Sequence, residues 1–200
     1  MSRNGLTLVA INLLLLACVT PEVLDPRDGT VPAGVDLSGN WRIQSNQRAD
    51  QARLRDAIRR TDGVKDDDIF KAPERQSTTQ NRRGSQGRVR GGLVYVFLET
   101  GSALKVTQTP DGLFISFDRS VVEEFRFGEN RIINVGEVEA QRVTGWVGDQ
   151  LVVDTLDRNS MKLTDSYQVI GNSRVLERII TLRSKAGDTE TIVQLFDRQD

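Results

Sequence analysis

The chain has 200 residues, enough for one domain with a real core, and its 27 basic and 28 acidic side chains nearly cancel. Near-neutrality gives no ground for expecting a nucleic-acid partner. There is no His and a single Cys, which excludes Ser-His and Cys-His nucleophilic catalysis in their usual forms, His-based metal sites and an internal disulfide.

The first residues, Met1–Gly5, carry one positive charge, Arg3, and lead into twelve mostly apolar residues, Leu6–Ala17. That run is too short to span a bilayer core, which needs about 20 residues, and has the layout of a secretory signal. Leu15-Leu16-Ala17-Cys18 resembles the lipobox of bacterial lipoproteins. The resemblance implies removal of residues 1–17 as a signal peptide, acylation of Cys18, and attachment to a membrane through that lipid. Val19 after the Cys, in place of the Asp often found in inner-membrane lipoproteins, implies the outer membrane, facing the periplasm. An ordinary signal peptide with a chance Cys, or an apolar N-terminal strand, would leave a free reactive thiol in an exported chain.

Val19–Asp36 contains three prolines and two glycines and has little periodicity, so 18–36 reads as a flexible tether. Leu37–Gln44 predicts a first strand, and 47–60 a short helix with a narrow apolar stripe of Leu54, Ala57 and Ile58. Residues 61–90 are poor in apolar side chains. Lys71–Arg90 alone holds six positive charges and one negative, so the stretch reads as a disordered basic loop. It is a candidate contact for anionic lipid or a cell-wall polymer. With no aromatic residue among the arginines to anchor a ligand, it is more simply the pattern of a solvated insertion. Residues 42–90 carry a net charge of +6 and residues 91–200 a net −5.

From Gly91 onward short runs alternate with turn residues. Leu93–Leu98 (LVYVFL) is unbroken and predicts a strand covered on both faces. ALKVTQT, LFISFD, VVEEFRF, RIINV, EAQRVTGWV, QLVVDTLD, MKLTDSYQVI, RVLERIITLR and TETIVQLFDR follow, separated by turns such as Pro110-Asp111-Gly112 and Gly171-Asn172-Ser173. The prediction is an all-β fold. About nine strands form an antiparallel meander, closing into a small barrel or strongly curved sheet, with one short helix after the first strand. Residues 37–200 then form a single β-domain.

Leu37-Ser38-Gly39-Asn40-Trp41 is similar to the GxW signature on the first strand of lipocalins. The resemblance implies an up-and-down barrel closed at one end by Trp41, with a late arginine, Arg198 or Arg183, over the indole. The helix and long loop after strand one depart from that pattern, as does the absence of a C-terminal helix after the strands. Thr164-Asp165-Ser166-Tyr167 matches the lipocalin TDY motif only loosely. LSGNW together with Gly145–Thr155 also resembles an exported bacterial β-domain whose members bring no known catalytic residues.

Trp41, Tyr95, Trp146 and Tyr167 are the large amphipathic aromatics and the candidate pocket lining, although such residues also simply fill cores. Asp66-Asp67-Asp68 lacks the alternating spacing of a calcium loop and reads as a solvated charge run. Glu123 and Glu124, adjacent on a strand, point to opposite faces, whereas Glu137 and Glu139 share one. Neither pair makes a convincing acid–base couple, and no catalytic residue, metal or cofactor is assigned. The reading is a lipid-anchored envelope protein, not an enzyme, that binds an apolar small molecule or an envelope partner. Its rival is an accessory lipoprotein with a filled core.

Overall fold

The computed structural model describes residues 21–44, 47–62 and 93–199. Cys18 and its lipobox, Asp66–Asp68 and most of the basic loop lie outside the described residues.

Ten strands form one antiparallel sheet: β1 (Gly39–Ile43), β2 (Ala103–Gln108), β3 (Gly112–Phe117), β4 (Val121–Arg126), β5 (Asn130–Val135), β6 (Val138–Val147), β7 (Gln150–Asp157), β8 (Lys162–Ile170), β9 (Val175–Arg183) and β10 (Thr189–Gln199). Their spatial order is β4-β3-β2-β1-β10-β9-β8-β7-β6-β5. Short hairpin turns make sequence neighbours pair, and β1 joins the two halves by lying between β2 and β10. The sheet curls into a half-barrel, which brings its two edge strands, β4 and β5, to one seam. Side chains bridge that seam: Arg142 on β6 reaches Glu123 on β4, and Arg131 on β5 donates to the Glu124 carbonyl.

Helix α1 (Gln47–Asp62) follows β1 and buries Leu54, Ala57 and Ile58, the stripe the sequence marks, against β9 and β10. Arg53, Arg59 and Arg60 stay more than half exposed and pair with Asp50, Asp56 and Glu190. Leu93–Phe97, expected as a strand, is instead a short 3-10 helix. Three residues per turn put Val94 and Phe97 on one buried face, while Val96 is left exposed. An unbroken apolar run of this length carries no period that separates the two outcomes. Tyr95 Oη and Thr61 Oγ1, 2.8 Å apart, tie this turn to α1.

The concave interior has two apolar clusters. At one end Leu37, Trp41, Leu113, Ile115, Leu151, Tyr167, Leu176 and Phe196 pack together with Trp146. At the other, α1 and the 3-10 helix pack on Ala140, Met161, Leu163, Ile180, Leu182 and Ile192. The turns 118–119, 136–137, 158–161 and 184–188 lie at the helix end, because β3, β5, β7 and β9 all run towards it.

The described part of the supposed tether does not hang free. Residues 21–28 are laid across the convex face of β6 and β7 as a strap, and Val31 and Val35 after them pack against the interior cluster that holds Trp41. Leu24 is buried with Val143 and Leu156. Its amide donates to Gln141 Oε1 at 2.8 Å, and the Asp28 carbonyl accepts from the Trp146 amide at 2.8 Å. Arg27 pairs with Asp154, which also accepts from Thr164 Oγ1 and lies 3.1 Å from Lys162 Nζ. Gly145 makes room for this crossing, since a Cβ there would meet the Asp28 carbonyl at 2.4 Å. One apolar anchor and a few directed bonds hold the strap, and a prolyl- and glycyl-rich composition does not reveal either.

Candidate functional site: a buried ionic layer between two apolar clusters

Alternation along each strand decides which side chains enter the interior. On β9 the inward set is Leu176, Arg178, Ile180 and Leu182. On β8 it is Leu163, Asp165, Tyr167 and Val169, and on β6 it is Ala140, Arg142, Thr144 and Trp146. Each set contains one ionic residue: register sets Arg178 beside Tyr167, Asp165 beside Ile180 and Arg142 opposite Thr155.

Arg178 is 0% exposed. Its Nε and Nη2 donate to the two Asp165 oxygens at 2.9 and 2.6 Å. Nη2 also donates to the Glu99 carbonyl at 2.9 Å, and Nη1 lies 3.5 Å from Gln194 Oε1. The guanidinium sits 5.2 Å from the Phe117 ring centroid and 5.5 Å from that of Tyr167. Tyr167 Oη donates to Asp165 Oδ2 at 2.8 Å. Burial disfavours the Arg178 charge, but the Asp165 and Tyr167 oxygens outweigh it and hold the pKa above its ordinary value. Burial pushes the Tyr167 phenol well above its usual range despite the Arg178 charge, so Tyr167 stays a donor.

Arg142 is the second interior guanidinium and is less fully engaged. Nη1 donates to Glu123 Oε2 at 2.9 Å across the seam, and Nε lies 3.4 Å from Thr155 Oγ1. It stacks between Phe125 and Phe97, 5.4 and 5.8 Å from their centroids. The Glu123 side chain keeps 24% of its surface exposed, so solvent reaches the interior here. Glu99 completes the layer. Burial, then the neighbouring Glu123 charge, raise its pKa against the pull of Arg178.

The four aromatics singled out from sequence are divided between the clusters. Trp41, Trp146 and Tyr167 share the cluster at the β1 end, and Tyr95 belongs with α1. Trp41 is 1% exposed, its Nε1 donates to the Leu37 carbonyl at 3.1 Å, and the Arg198 guanidinium lies 4.2 Å over its ring. Of the two arginines proposed for that place, Arg198 fills it. Gly39 permits the approach: its φ is +152°, and a Cβ would meet Arg198 Nη1 at 2.7 Å. Trp146 meets Phe127 edge-on at 5.2 Å, and its buried Nε1 has no acceptor. Glu123 and Glu124 do face opposite ways, Glu123 inward to Arg142 and Glu124 outward to Arg126.

The ionic layer is what the aromatic inventory passes over. Its signal is a charged residue at an inward position of an otherwise apolar alternation, as in Leu176-Glu177-Arg178-Ile179-Ile180. Among the described residues no group of three or more acidic or Cys side chains is placed to hold a metal ion. No described helix is long and apolar enough to cross a membrane. Grooves of about 260–330 Å³ between described residues lie on the outer face and rim, at Asn40–Arg42 with Lys105, at Pro21–Glu22 with Arg158, and at Gly34–Asp36 with Asp149.

No family profile matches the chain, and no curated protein matches it. Among solved structures it is similar to the REP1-NXSQ fatty acid transporter, at 12% identity and a TM-score of 0.45 over 82% of this chain and 97% of that one. It is similar to an N57A mutant of the fluorescent protein UnaG, at 14% identity and a TM-score of 0.43 over 82% and 96%. Secretory abundant heat soluble protein 4 from Ramazzottius varieornatus matches at 18% identity and a TM-score of 0.38 over 49% of this chain and 69% of its own.

Proposed function

We propose that this chain is a lipid-anchored protein of the bacterial envelope, facing the periplasm from the outer membrane, and a non-catalytic carrier of an amphipathic small molecule. The ligand's apolar body lies among the interior aromatics and its anionic head on Arg142. One observation carries the reading: two guanidiniums, Arg178 and Arg142, are buried inside the sheet together with its apolar clusters. A buried ion pair contributes little stability that well-packed aliphatic side chains would not match. A preference for charge at that depth is better accounted for by recognition than by folding. Arg178, saturated by Asp165, keeps the layer in shape. Arg142, with one carboxylate across an open seam, is the exchangeable member, and Glu123 stands where a ligand carboxylate would bind. The anchor rests on the lipobox resemblance at Cys18.

Native mass spectrometry of protein extracted from its own membrane tests the binding reading. A co-purifying amphipath of a few hundred daltons is the expected result, and a bare polypeptide would count against it. The filled apolar ends, where Leu37, Leu113, Leu151 and Leu176 are fully buried, favour a second reading, an accessory module that works through its surface. A bare polypeptide is that reading's expectation.

A further inference from the structure

We infer that the strap makes the anchor directional, holding the helix end of the half-barrel against the bilayer that carries the lipid; this rests on the reading that Cys18 is acylated. Cys18 precedes Pro21 by three residues, a span of about 11 Å at full extension. From Pro21 the chain is already docked. Glu22 pairs with Arg183, the last residue of β9, and lies in the rim groove with Arg158, the first residue after β7. Leu24, Arg27 and Asp28 then fasten the strap down the convex face. A lipid on Cys18 is thus tied closely to one end of the sheet, where the docked strap begins, and the opposite end is a strand length away.

The two ends also differ in charge. The helix end exposes Arg59, Arg60, Arg119, Arg158 and Lys185 against Asp118, Glu137 and Asp188. The far end exposes Asp36, Asp111 and Asp149 against Arg126 and Arg174. The balance is positive at the helix end and negative at the far end, so an anionic head-group layer favours the first. Reach and charge select the same end.

Positions 149 and 158 flank β7, so labels there report the two ends of one strand, roughly 30 Å apart. The acylated full-length chain carrying Arg158→Cys or Asp149→Cys has one free thiol for a fluorophore. Each is reconstituted into vesicles of phosphatidylethanolamine and phosphatidylglycerol containing a head-group nitroxide lipid. Quenching several-fold stronger at 158 than at 149 is expected. Equal quenching, or stronger quenching at 149, in protein that floats with the vesicles overturns this inference and leaves the anchor standing. Protein that does not float overturns both. Combining Leu24→Ala with Arg27→Ala should equalise the two labels at unchanged circular dichroism, and asymmetry that survives in that folded variant would also overturn it.

Discussion

Arg178 and Arg142 present the same chemistry, an interior guanidinium between two aromatic rings with a carboxylate partner, in opposite settings. Arg178 lies where β8, β9 and β10 are continuously hydrogen-bonded, with two Asp165 oxygens, a carbonyl and a glutamine around it. Arg142 lies beside the seam, where β4 and β5 share no ladder and its carboxylate partner is partly in solvent. Where the two partners sit on strands joined by a backbone ladder, as Asp165 and Arg178 do, the ion pair is a fixed part of the fold. Without one, the same pair can exchange its carboxylate for another.

The contrast breaks most visibly at Arg178. Arg178→Leu strands Asp165 in the interior and should cost about 3–5 kcal/mol, read as a large fall in the urea midpoint. The double variant Arg178→Leu/Asp165→Leu should recover most of that loss, because an apolar pair replaces an ionic one. Trp41→Ala belongs to the same ladder-bound half and should cost about 3–5 kcal/mol through the cavity it leaves under Arg198. A nearly unchanged midpoint would mean that β1 does not hold the two halves together. Arg142→Leu should cost only about 1–2 kcal/mol, because water can solvate the Glu123 it leaves behind. An effect as large as that of Arg178→Leu would erase the distinction between the two sites.

The strap gives the smallest effect and a pH dependence. Burial acts to raise the Asp154 pKa, but the Thr164 hydrogen bond, then Arg27 and Lys162, hold it below its ordinary value. A depressed folded-state pKa means that this stabilisation is present above the ordinary carboxylate range and is lost as pH falls through the folded value. Amide exchange at Trp146, whose N–H donates to the strap, should therefore lose protection relative to the central β8–β9 amides on going from neutral pH to below about 3. Loss of protection on going to higher pH instead would give the wrong sign.

Much of the fold is legible because it rests on local patterns. Period-two alternation marks the strands from Ala103 onward, and a single stripe on 47–60 marks the buried face of α1. Gly39 and Trp41 anticipate a late arginine over the indole, and Arg198 is there. What is hidden depends on register and on contacts between distant segments. Arg142 shares the inward set of Ala140 and Thr144, but only the β5–β6 and β6–β7 pairings place it opposite Glu123 at a seam. Leu24 is one apolar residue in an aperiodic stretch, and its burial follows from Val143 and Leu156 more than a hundred residues away. Leu93–Phe97 is ambiguous in itself, and packing against the α1 cluster decides it.

The central claim is that Arg142 exchanges Glu123 for a ligand carboxylate. A titration of three proteins with a dansyl-labelled long-chain carboxylic acid, followed by fluorescence, tests it directly. The unsubstituted chain should bind, Glu123→Gln should bind more tightly because the internal competitor is gone, and Arg142→Leu should lose most of the affinity while remaining folded. Equal binding by all three, or weaker binding by Glu123→Gln, would contradict the claim and leave the seam pair a structural contact.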